Sequence, residues 1–331
     1  MPELTADSLE WVELPCDWCG SQSYDPVFCG PDLLEHLPGQ FQIVRCENCG
    51  LLRQHPHLAW STLKHYYLET YVSHGLMTRD QPNMWKRLDK RYGPWKRLRA
   101  IESFQHGGSL LEVGCGTGTF LEEAIHSGRW VVSGIEPTPH AAEYVRSRLN
   151  IPIHQDVFSK VALPEASFDV IVMWNVLEHL ENPIEDMRYA HHLLKPGGWF
   201  VFTIPNLEGW ESRIFGKYWI GWDLPRHLYF FSRSLLLQIL PQVGFRWVDA
   251  RCLSTSYHFL GNSLEFWSQS WQERHPTLRR ALLAVYASLP VRALAILPLG
   301  ILDRLAQNTI ITVFAQKNNS SQTYVIDLNP G

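Results

Sequence analysis

Apolar runs and helix signals alternate along the chain from residue 109 onward. The runs at 131–135, 168–174 and 199–204 are almost entirely apolar, which is typical of strands that are buried on both faces of a sheet. Two further strands are predicted at 245–251 and 309–316. This alternation predicts an α/β fold in which a mostly parallel sheet carries helices on both faces.

Helix boundaries between these runs are marked by capping residues. Asn182 followed by Pro183 is a typical helix start, and Ser232 is expected to cap a helix over 233–243. The segment 195–198, which contains one proline and two glycines, is expected to end the first of these helices and to turn into the next strand.

Composition and charge limit the classes of partner. The 331 residues, 45% of them hydrophobic, suffice for one large domain and a small one. A net charge of −4 and a pI of about 6.4 oppose a general polyanion binder, so no nucleic-acid partner is expected. The basic residues between Lys86 and Arg99 are expected on a solvated helix face. Residues 1–10 lack the pattern of a secretory signal, so a cytoplasmic location is expected.

Four of the seven cysteines form two pairs, Cys16-x-x-Cys19 and Cys46-x-x-Cys49. Four thiolates suit one tetrahedral ion, for which zinc is expected and iron is the minority alternative. Four protein ligands leave no open coordination position, so the ion would be structural. The pattern resembles a zinc ribbon or a rubredoxin-type knuckle pair, and four unliganded cysteines are the remaining alternative.

A glycine-rich turn follows the apolar stretch that begins at Leu110. Gly114, Gly116 and Gly118 alternate with other residues, and they permit close approach of the backbone to a ligand. A dinucleotide fingerprint would place its last glycine at the position of Thr119. A pyrophosphate is therefore a poor match for this turn.

This strand and turn, with Glu112 before the glycines, resemble the first motif of the class I S-adenosylmethionine-dependent methyltransferases. The resemblance covers about 109–316, two-thirds of the chain. It implies a Rossmann-like sheet of seven strands whose last strand is antiparallel and inserted next to the edge. It also implies S-adenosyl-L-methionine as the methyl donor, bound at the turn formed by Gly114, Gly116 and Gly118. A plain strand–turn–helix unit in another α/β enzyme is the alternative.

The resemblance also implies donor-binding residues at the ends of the strands. Glu136 is expected to accept hydrogen bonds from the ribose hydroxyls, and Asp156, with Val157 beside it, to meet the adenine. Glu112 is expected to order water near the methionine part of the donor. Asn175 stands where the backbone carbonyl meets the methionine ammonium.

Two histidines and one arginine are candidates on the acceptor side. His179 follows the fourth strand, and an imidazole with a pKa near neutrality can take a proton from an acceptor. Arg226 and His227 belong to a segment that resembles one found in methyltransferases that also carry cysteine pairs. Arg226 is a candidate for holding an acidic group of the substrate, and His227 is a second candidate base. The alternative for all three is a structural role in which they pin their loops.

The segment 281–302 is apolar, and prolines interrupt it, so a single spanning helix is not expected. A pair of short helices that forms a lid over an apolar acceptor, or a dimer face, is the leading interpretation. A helix in a membrane interface and helices buried inside the protein are the alternatives.

Four segments are expected along the chain. They are a zinc-ribbon-like segment at 1–57, a helical connector or lid at 58–105 in which Tyr71 or Trp85 could line the pocket, a methyltransferase domain at 106–318 with an insertion at about 253–308, and a tail at 319–331.

The expected function is methyl transfer to a small-molecule, glycan or lipid-linked acceptor, at oxygen before carbon or nitrogen. A catalytically silent module that binds the donor or docks a partner is the alternative from another class. A carbon- or nitrogen-methylating enzyme of a sugar or secondary metabolite is the alternative within the enzymes. Peripheral membrane contact would involve 281–302, and the pattern does not indicate an oligomeric state.

Overall fold

The computed structural model describes residues 5, 8–67, 84–253, 256–305 and 307–318, with backbone alone at 84–91, 256, 258 and 296. Tyr71, the side chain of Trp85 and the expected tail at 319–331 therefore lie outside the described residues.

A seven-stranded sheet forms the centre of the fold, in the order β12-β13-β10-β9-β6-β7-β8. Five of the strands are parallel neighbours, and β13 runs antiparallel between β10 and β12. The expected α/β fold with an inserted antiparallel strand is confirmed. The strands are β6 (Gly108–Val113), β7 (Trp130–Ile135), β8 (Ile153–His154), β9 (Phe168–Trp174), β10 (Leu194–Pro205), β12 (Phe245–Arg251) and β13 (Ile310–Lys317).

Helices cover both faces of this sheet. Successive residues of β9 point to opposite faces, so Ile171 and Met173 belong to one core cluster and Val170 and Val172 to the other. Burial on both sides explains why this strand is nearly continuous in apolar residues. The helices are α2 (Met84–Glu102), α3 (Thr119–His126), α4 (Pro139–Leu149), α5 (Pro183–Leu193), α6 (Trp210–Phe215) and α7 (Arg233–Gln242).

The helix signals hold with one correction. α5 begins at Pro183, and the Ser232 hydroxyl accepts a hydrogen bond from the backbone of Leu235 at the start of α7. The segment 195–198, however, does not end α5. The helix stops at Leu193 and β10 begins at once, because Leu194 already pairs with Phe168; the four residues form an irregularity before the regular ladder resumes.

The N-terminal segment contributes a second sheet, in the order β11-β4-β3-β2. Its edge strand β11 comes from residues far along the chain, where Tyr229 pairs with Arg53 and Phe230 with Leu52. The N-terminal segment and the segment around 229 are therefore joined by a continuous hydrogen-bonded ladder. The elements are β1 (Trp11–Val12), β2 (Tyr24–Gly30), β3 (Phe41–Cys46), β4 (Leu52–Gln54), β5 (His57–Leu58), α1 (Trp60–Leu63) and β11 (Tyr229–Phe230).

A buried ion pair reinforces this ladder. The Arg226 guanidinium donates two hydrogen bonds to the Asp32 carboxylate, at 2.7 and 3.2 Å, and both side chains are fully buried. The same guanidinium donates to Asp223 at 2.8 Å and to the carbonyls of Tyr66 and Leu224. Bidentate geometry and full use of the arginine donors offset the cost of removing these charges from water.

Three helices fill the connection between β12 and β13: α8 (Ser256–Ser268), α9 (Pro276–Ala287) and α10 (Leu289–Arg304). The expected pair of short helices corresponds to α9 and α10, which are bent by 59° at a short break. No single helix in the described ranges is long and apolar enough to cross a membrane, and α9 and α10 meet the criteria of length and composition only when they are taken together.

We expect Asp32→Ala to destabilise the protein strongly, because the substitution removes one of the two counter-charges of the buried Arg226 guanidinium, the one that it binds through two hydrogen bonds. The loss of unfolding free energy should be about 3–5 kcal/mol, as measured by urea denaturation. Asp25→Ala is the matched control, since Asp25 is exposed in the same small sheet and should change stability by less than about 0.5 kcal/mol. A loss no larger than that of the control would show that this ion pair does not secure the loop.

A candidate methyl-transfer site at the edge of the sheet

The glycine turn joins β6 to α3 in left-handed backbone conformations. Gly114, Gly116 and Gly118 have φ values of 68°, 51° and 70°, which favour glycine over other residues. A Cβ on Gly114 would lie 2.7 Å from a methyl group of Val176, whereas a Cβ on Gly116 would meet no atom within 4 Å. The turn therefore needs glycine for its backbone, and it leaves open space beside Gly116.

Glu136, at the end of β7, ties this turn to the neighbouring strand. One carboxylate oxygen accepts a hydrogen bond from the backbone N–H of Gly116 at 2.8 Å, and the other accepts from Thr138 at 2.9 Å. The side chain is only 5% exposed. Each oxygen retains a further lone pair, so the carboxylate can accept from a pair of ligand hydroxyls beside the turn.

Asp156 and Asn175 follow the next two strands at the same edge. The exposed Asp156 carboxylate accepts a hydrogen bond from the backbone of Val157 at 2.8 Å, after β8. Asn175 follows β9 with a φ of 56°, and its side-chain amide donates to Glu178 at 3.2 Å. Parallel strands thus bring all these polar groups to one edge, the usual ligand side of an open α/β sheet.

His179 and His227 meet beside the end of β9. Their ring centres are 4.6 Å apart in an edge-to-face arrangement. His179 Nδ1 is 2.9 Å from the carbonyl of Arg226, and His227 Nδ1 is 2.8 Å from that of Gly221. A carbonyl only accepts, so each Nδ1 donates a proton and the lone pair of a neutral ring is on Nε2.

The four paired cysteines also come together. The sulfur atoms of Cys16 and Cys49 are 3.5 Å apart, as are those of Cys19 and Cys46, and all four lie within 4.8 Å of one another. Four thiolates around zinc at about 2.3 Å would have sulfur–sulfur distances of about 3.8 Å. The donor set and its spacing therefore fit a tetrahedral ion.

Comparison with known proteins agrees with a ligand site at the carboxyl ends of these strands. The family described as "Methyltransferase domain" matches residues 84–250, which include the glycine turn and every strand-end residue described above. The chain belongs to the class I S-adenosylmethionine-dependent methyltransferases.

Several curated proteins are similar to this methyltransferase. The ubiquinone biosynthesis O-methyltransferase of Actinobacillus pleuropneumoniae is 30% identical over 177 residues, which are 49% of this chain and 74% of that protein. The protein of the same name from Serratia proteamaculans is 27% identical over 192 residues, 54% of this chain and 78% of its own length. A solved methyltransferase structure from Archaeoglobus fulgidus aligns with a TM-score of 0.46 at 17% identity, over 71% of this chain and all of that one.

Glu112 lies beneath the glycine turn of this methyltransferase, and it has a basic neighbour that the sequence analysis missed. Burial raises the pKa of the Glu112 carboxyl well above its usual value, although the nearby Arg97 guanidinium opposes this shift. The guanidinium carbon of Arg97 is 4.8 Å from the ring centre of Trp174. The expectation that the basic residues up to Arg99 form a solvated face is thus wrong for Arg97, because one face of α2 packs against the sheet.

The environment of Arg226 favours a structural role, in which the residue pins its loop, over binding of an acidic group of the substrate. The side chain is fully buried, and all three of its nitrogen atoms donate to Asp32, Asp223 and backbone carbonyls. These bonds pin the loop that contains His227. The signal that sequence reasoning lacked was Asp32, which is far away along the chain.

Glu178 completes a buried polar cluster with the two histidines. Its carboxylate is 3.9 Å from His227 Nε2, and His227 Nε2 is 3.8 Å from Asp223. Each of Glu178, His179 and His227 offers a ligand atom within 4.8 Å of the others, so this cluster could also hold a metal ion. The hydroxyl of Tyr67, a second residue that was not anticipated at the site, lies 3.1 Å from His179 Nδ1.

Burial determines the charge of this cluster. It lowers the pKa of His179 to about 3, with help from His227, and it also lowers the pKa of His227. It raises the pKa of Glu178 to about 8, against the hydrogen bonds from its own backbone and from Asn175. At neutral pH both imidazoles are therefore neutral, and Glu178 is mostly protonated.

An apolar cavity of about 210 Å³ lies between the small sheet and the loop at 216–224. Phe28, Trp219 and Trp222 form much of its wall, and Asp223, which approaches His227, is also part of the lining.

We expect Glu178→Gln to remove a pH-dependent loss of stability. Because the folded-state pKa of Glu178 is raised to about 8, the contribution of its protonated side chain to the free energy of unfolding is fully present in acid. That contribution is lost as the pH rises through 8. The wild-type protein should lose roughly 2–4 kcal/mol relative to the variant between pH 5 and pH 9 in urea denaturation. Exposed Glu181→Gln is the control and should follow the wild type; parallel curves for all three proteins would refute the shift.

Proposed function

We propose that this methyltransferase transfers the methyl group of S-adenosyl-L-methionine to a hydroxyl oxygen of a small-molecule acceptor. The observation that carries this proposal is the pair His179 and His227 beside the end of β9, in which each Nδ1 donates to a backbone carbonyl. An imidazole with a free Nε2 lone pair can take a hydroxyl proton. The similarity to enzymes named O-methyltransferases supports oxygen as the acceptor atom.

The donor supplies an electrophilic methyl group on a positively charged sulfur. The turn fits such a ligand because it holds a carboxylate, that of Glu136, against an open glycine backbone. In this proposal Glu136 accepts from the ribose hydroxyls, and Asp156 and Val157 flank the adenine. The Asn175 carbonyl receives the ammonium group, and Glu112 orders water beside it.

His179 and His227 are proposed to remove the acceptor's proton. With the donor bound, the sulfur–methyl bond would break with its electron pair left on sulfur as the methyl group bonds to oxygen; the hydroxyl proton would pass to a ring Nε2, and the positive charge lost at sulfur would reappear on imidazole. Asp223, which lies 3.8 Å from His227 Nε2, stabilises that charge. Positioning supplies much of the remaining rate, because the displacement requires the acceptor oxygen in line with the transferred methyl.

The acceptor is proposed to be apolar over the part that enters the enzyme. The cavity beside Asp223 is walled mainly by aromatic and aliphatic side chains and leaves room for about one substituted ring. Arg226 is not proposed as an acceptor anchor, since its donors are engaged inside the protein.

The cysteine cluster is proposed to hold a structural zinc ion in a reducing compartment, the cytoplasm. Zinc is bound by thiolates, and a reducing compartment keeps cysteines in that form. The cluster joins the loop before β2 to the loop after β3, and β3 pairs with β4, which in turn pairs with β11.

We expect two substitutions to separate donor binding from turnover. Glu136→Gln should weaken donor affinity about tenfold or more in calorimetry, because one charged acceptor is lost. His179→Asn should slow transfer from labelled donor to hydroxylated aromatic acceptors by about a hundredfold or more, while the donor binds as in the wild type. Exposed Glu143→Gln on α4 is the control. Failure of the wild type to bind the donor, or full activity of His179→Asn, would contradict these assignments.

Cys46→Ser should remove the zinc ion and loosen the loop that carries His227. Elemental analysis of the wild type should find one zinc per chain, and the variant should melt at lower temperature and lose most of its activity. Cys29→Ser is the matched control, because Cys29 is exposed and lies outside the cluster. An unchanged zinc content in Cys46→Ser would count against the site.

A further inference from the structure

The outer surface of α9 and α10 is apolar to an unusual degree. None of the residues of α9 is buried. On α10, Leu289, Leu294 and Leu297 are 80%, 77% and 78% exposed. Soluble proteins rarely leave large neighbouring side chains of this type in water, and a contiguous apolar surface marks an interaction site.

The spacing on α10 shows that this surface is one face of the helix. Leu294, Leu297 and Ile301 recur at intervals of three and four residues, so they lie along one stripe, and Ile301 is also 58% exposed. An amphipathic helix normally turns such a stripe toward the protein core. Here the stripe faces away from the core, and this contradicts the alternative that the apolar helices are buried inside the protein.

The same segment carries a positive charge. From Arg274 to Arg304 the sequence has five arginines and one acidic residue, Asp303, in a chain whose net charge is −4. Arg279 is paired with Glu265 at 3.3 Å. Arg274, Arg280 and Arg292 are exposed.

These charges distinguish between the surfaces that could cover the helices. A second copy of the chain, docked about a two-fold axis, would bring the same positive segment against itself, and like charges oppose that contact. A surface that is apolar inside and negatively charged outside complements both the leucines and the arginines. An anionic lipid bilayer has this character.

We propose that α9 and α10 bind the surface of an anionic membrane, with their exposed leucines in the boundary between headgroups and acyl chains. The helices lie on the membrane and do not cross it. The 16 residues of α10 reach about 24 Å, short of a hydrocarbon core of about 30 Å, and a span would place Arg292 in hydrocarbon. The proposal is independent of the acceptor's identity and of turnover.

Sedimentation of the full chain with vesicles tests this proposal. The protein should bind vesicles of equal parts phosphatidylcholine and phosphatidylglycerol, and it should bind vesicles of phosphatidylcholine alone much less. Binding should weaken about fivefold for each of Arg280→Gln and Arg292→Gln and should fall as salt is added. The double variant Leu294→Ser/Leu297→Ser should lose most binding.

Leu237→Ser is the matched control, since Leu237 is an exposed leucine on α7, outside the segment; it should bind as the wild type does. Thermal melting and donor affinity, measured without lipid, confirm that each variant is folded. Unimpaired binding by Leu294→Ser/Leu297→Ser, or no preference for anionic vesicles, would overturn the proposal. A lipid-free dimer that this double variant dissociates would assign the surface to a second copy, and resistance to alkaline extraction would assign it to a membrane span.

Discussion

The buried pair of Asp32 and Arg226 is the interaction on which the arrangement of the site depends. Its two charges come from segments 194 residues apart, and neither is reached by water. Such a pair excludes most other conformations of its two segments, because separating the partners leaves an unpaired charge in a low-dielectric interior. The arginine therefore fixes the path of its own loop, and His227 is the next residue in that loop.

The small N-terminal sheet also helps to shape the candidate site. The strand pairing of Tyr229 and Phe230 with β4 continues the constraint beyond Arg226. The N-terminal segment, which is remote in sequence, thus becomes part of the wall around the histidine pair. In the proposal that the four cysteines hold zinc, loss of the ion would reach the site through these hydrogen bonds and this packing, without direct contact between the ion and a reacting group.

Local patterns predicted the sheet well, because strands that are covered on both faces form short, nearly continuous apolar runs that can be recognised in the sequence. They also placed Glu136 and the glycine turn, since both lie directly after such runs. Arg226 was open to two interpretations for a physical reason: its partner Asp32 is non-local, and an arginine looks the same in sequence whether it faces water or a buried carboxylate. Arg97 was missed because α2 combines exposed and inward-facing basic residues at adjacent positions.

Burial at the histidine cluster creates an apparent conflict with proton transfer. Burial lowers the pKa of His179, so a charged imidazole is unfavourable at this position. In the proposed reaction this balance changes, because a cation on the donor disappears in the same step in which the imidazole gains a proton. The total charge of the site is then unchanged, so the buried environment opposes the step much less than it opposes protonation from water. A site that excludes water therefore suits this reaction, provided that the proton and the methyl group move in a coupled fashion.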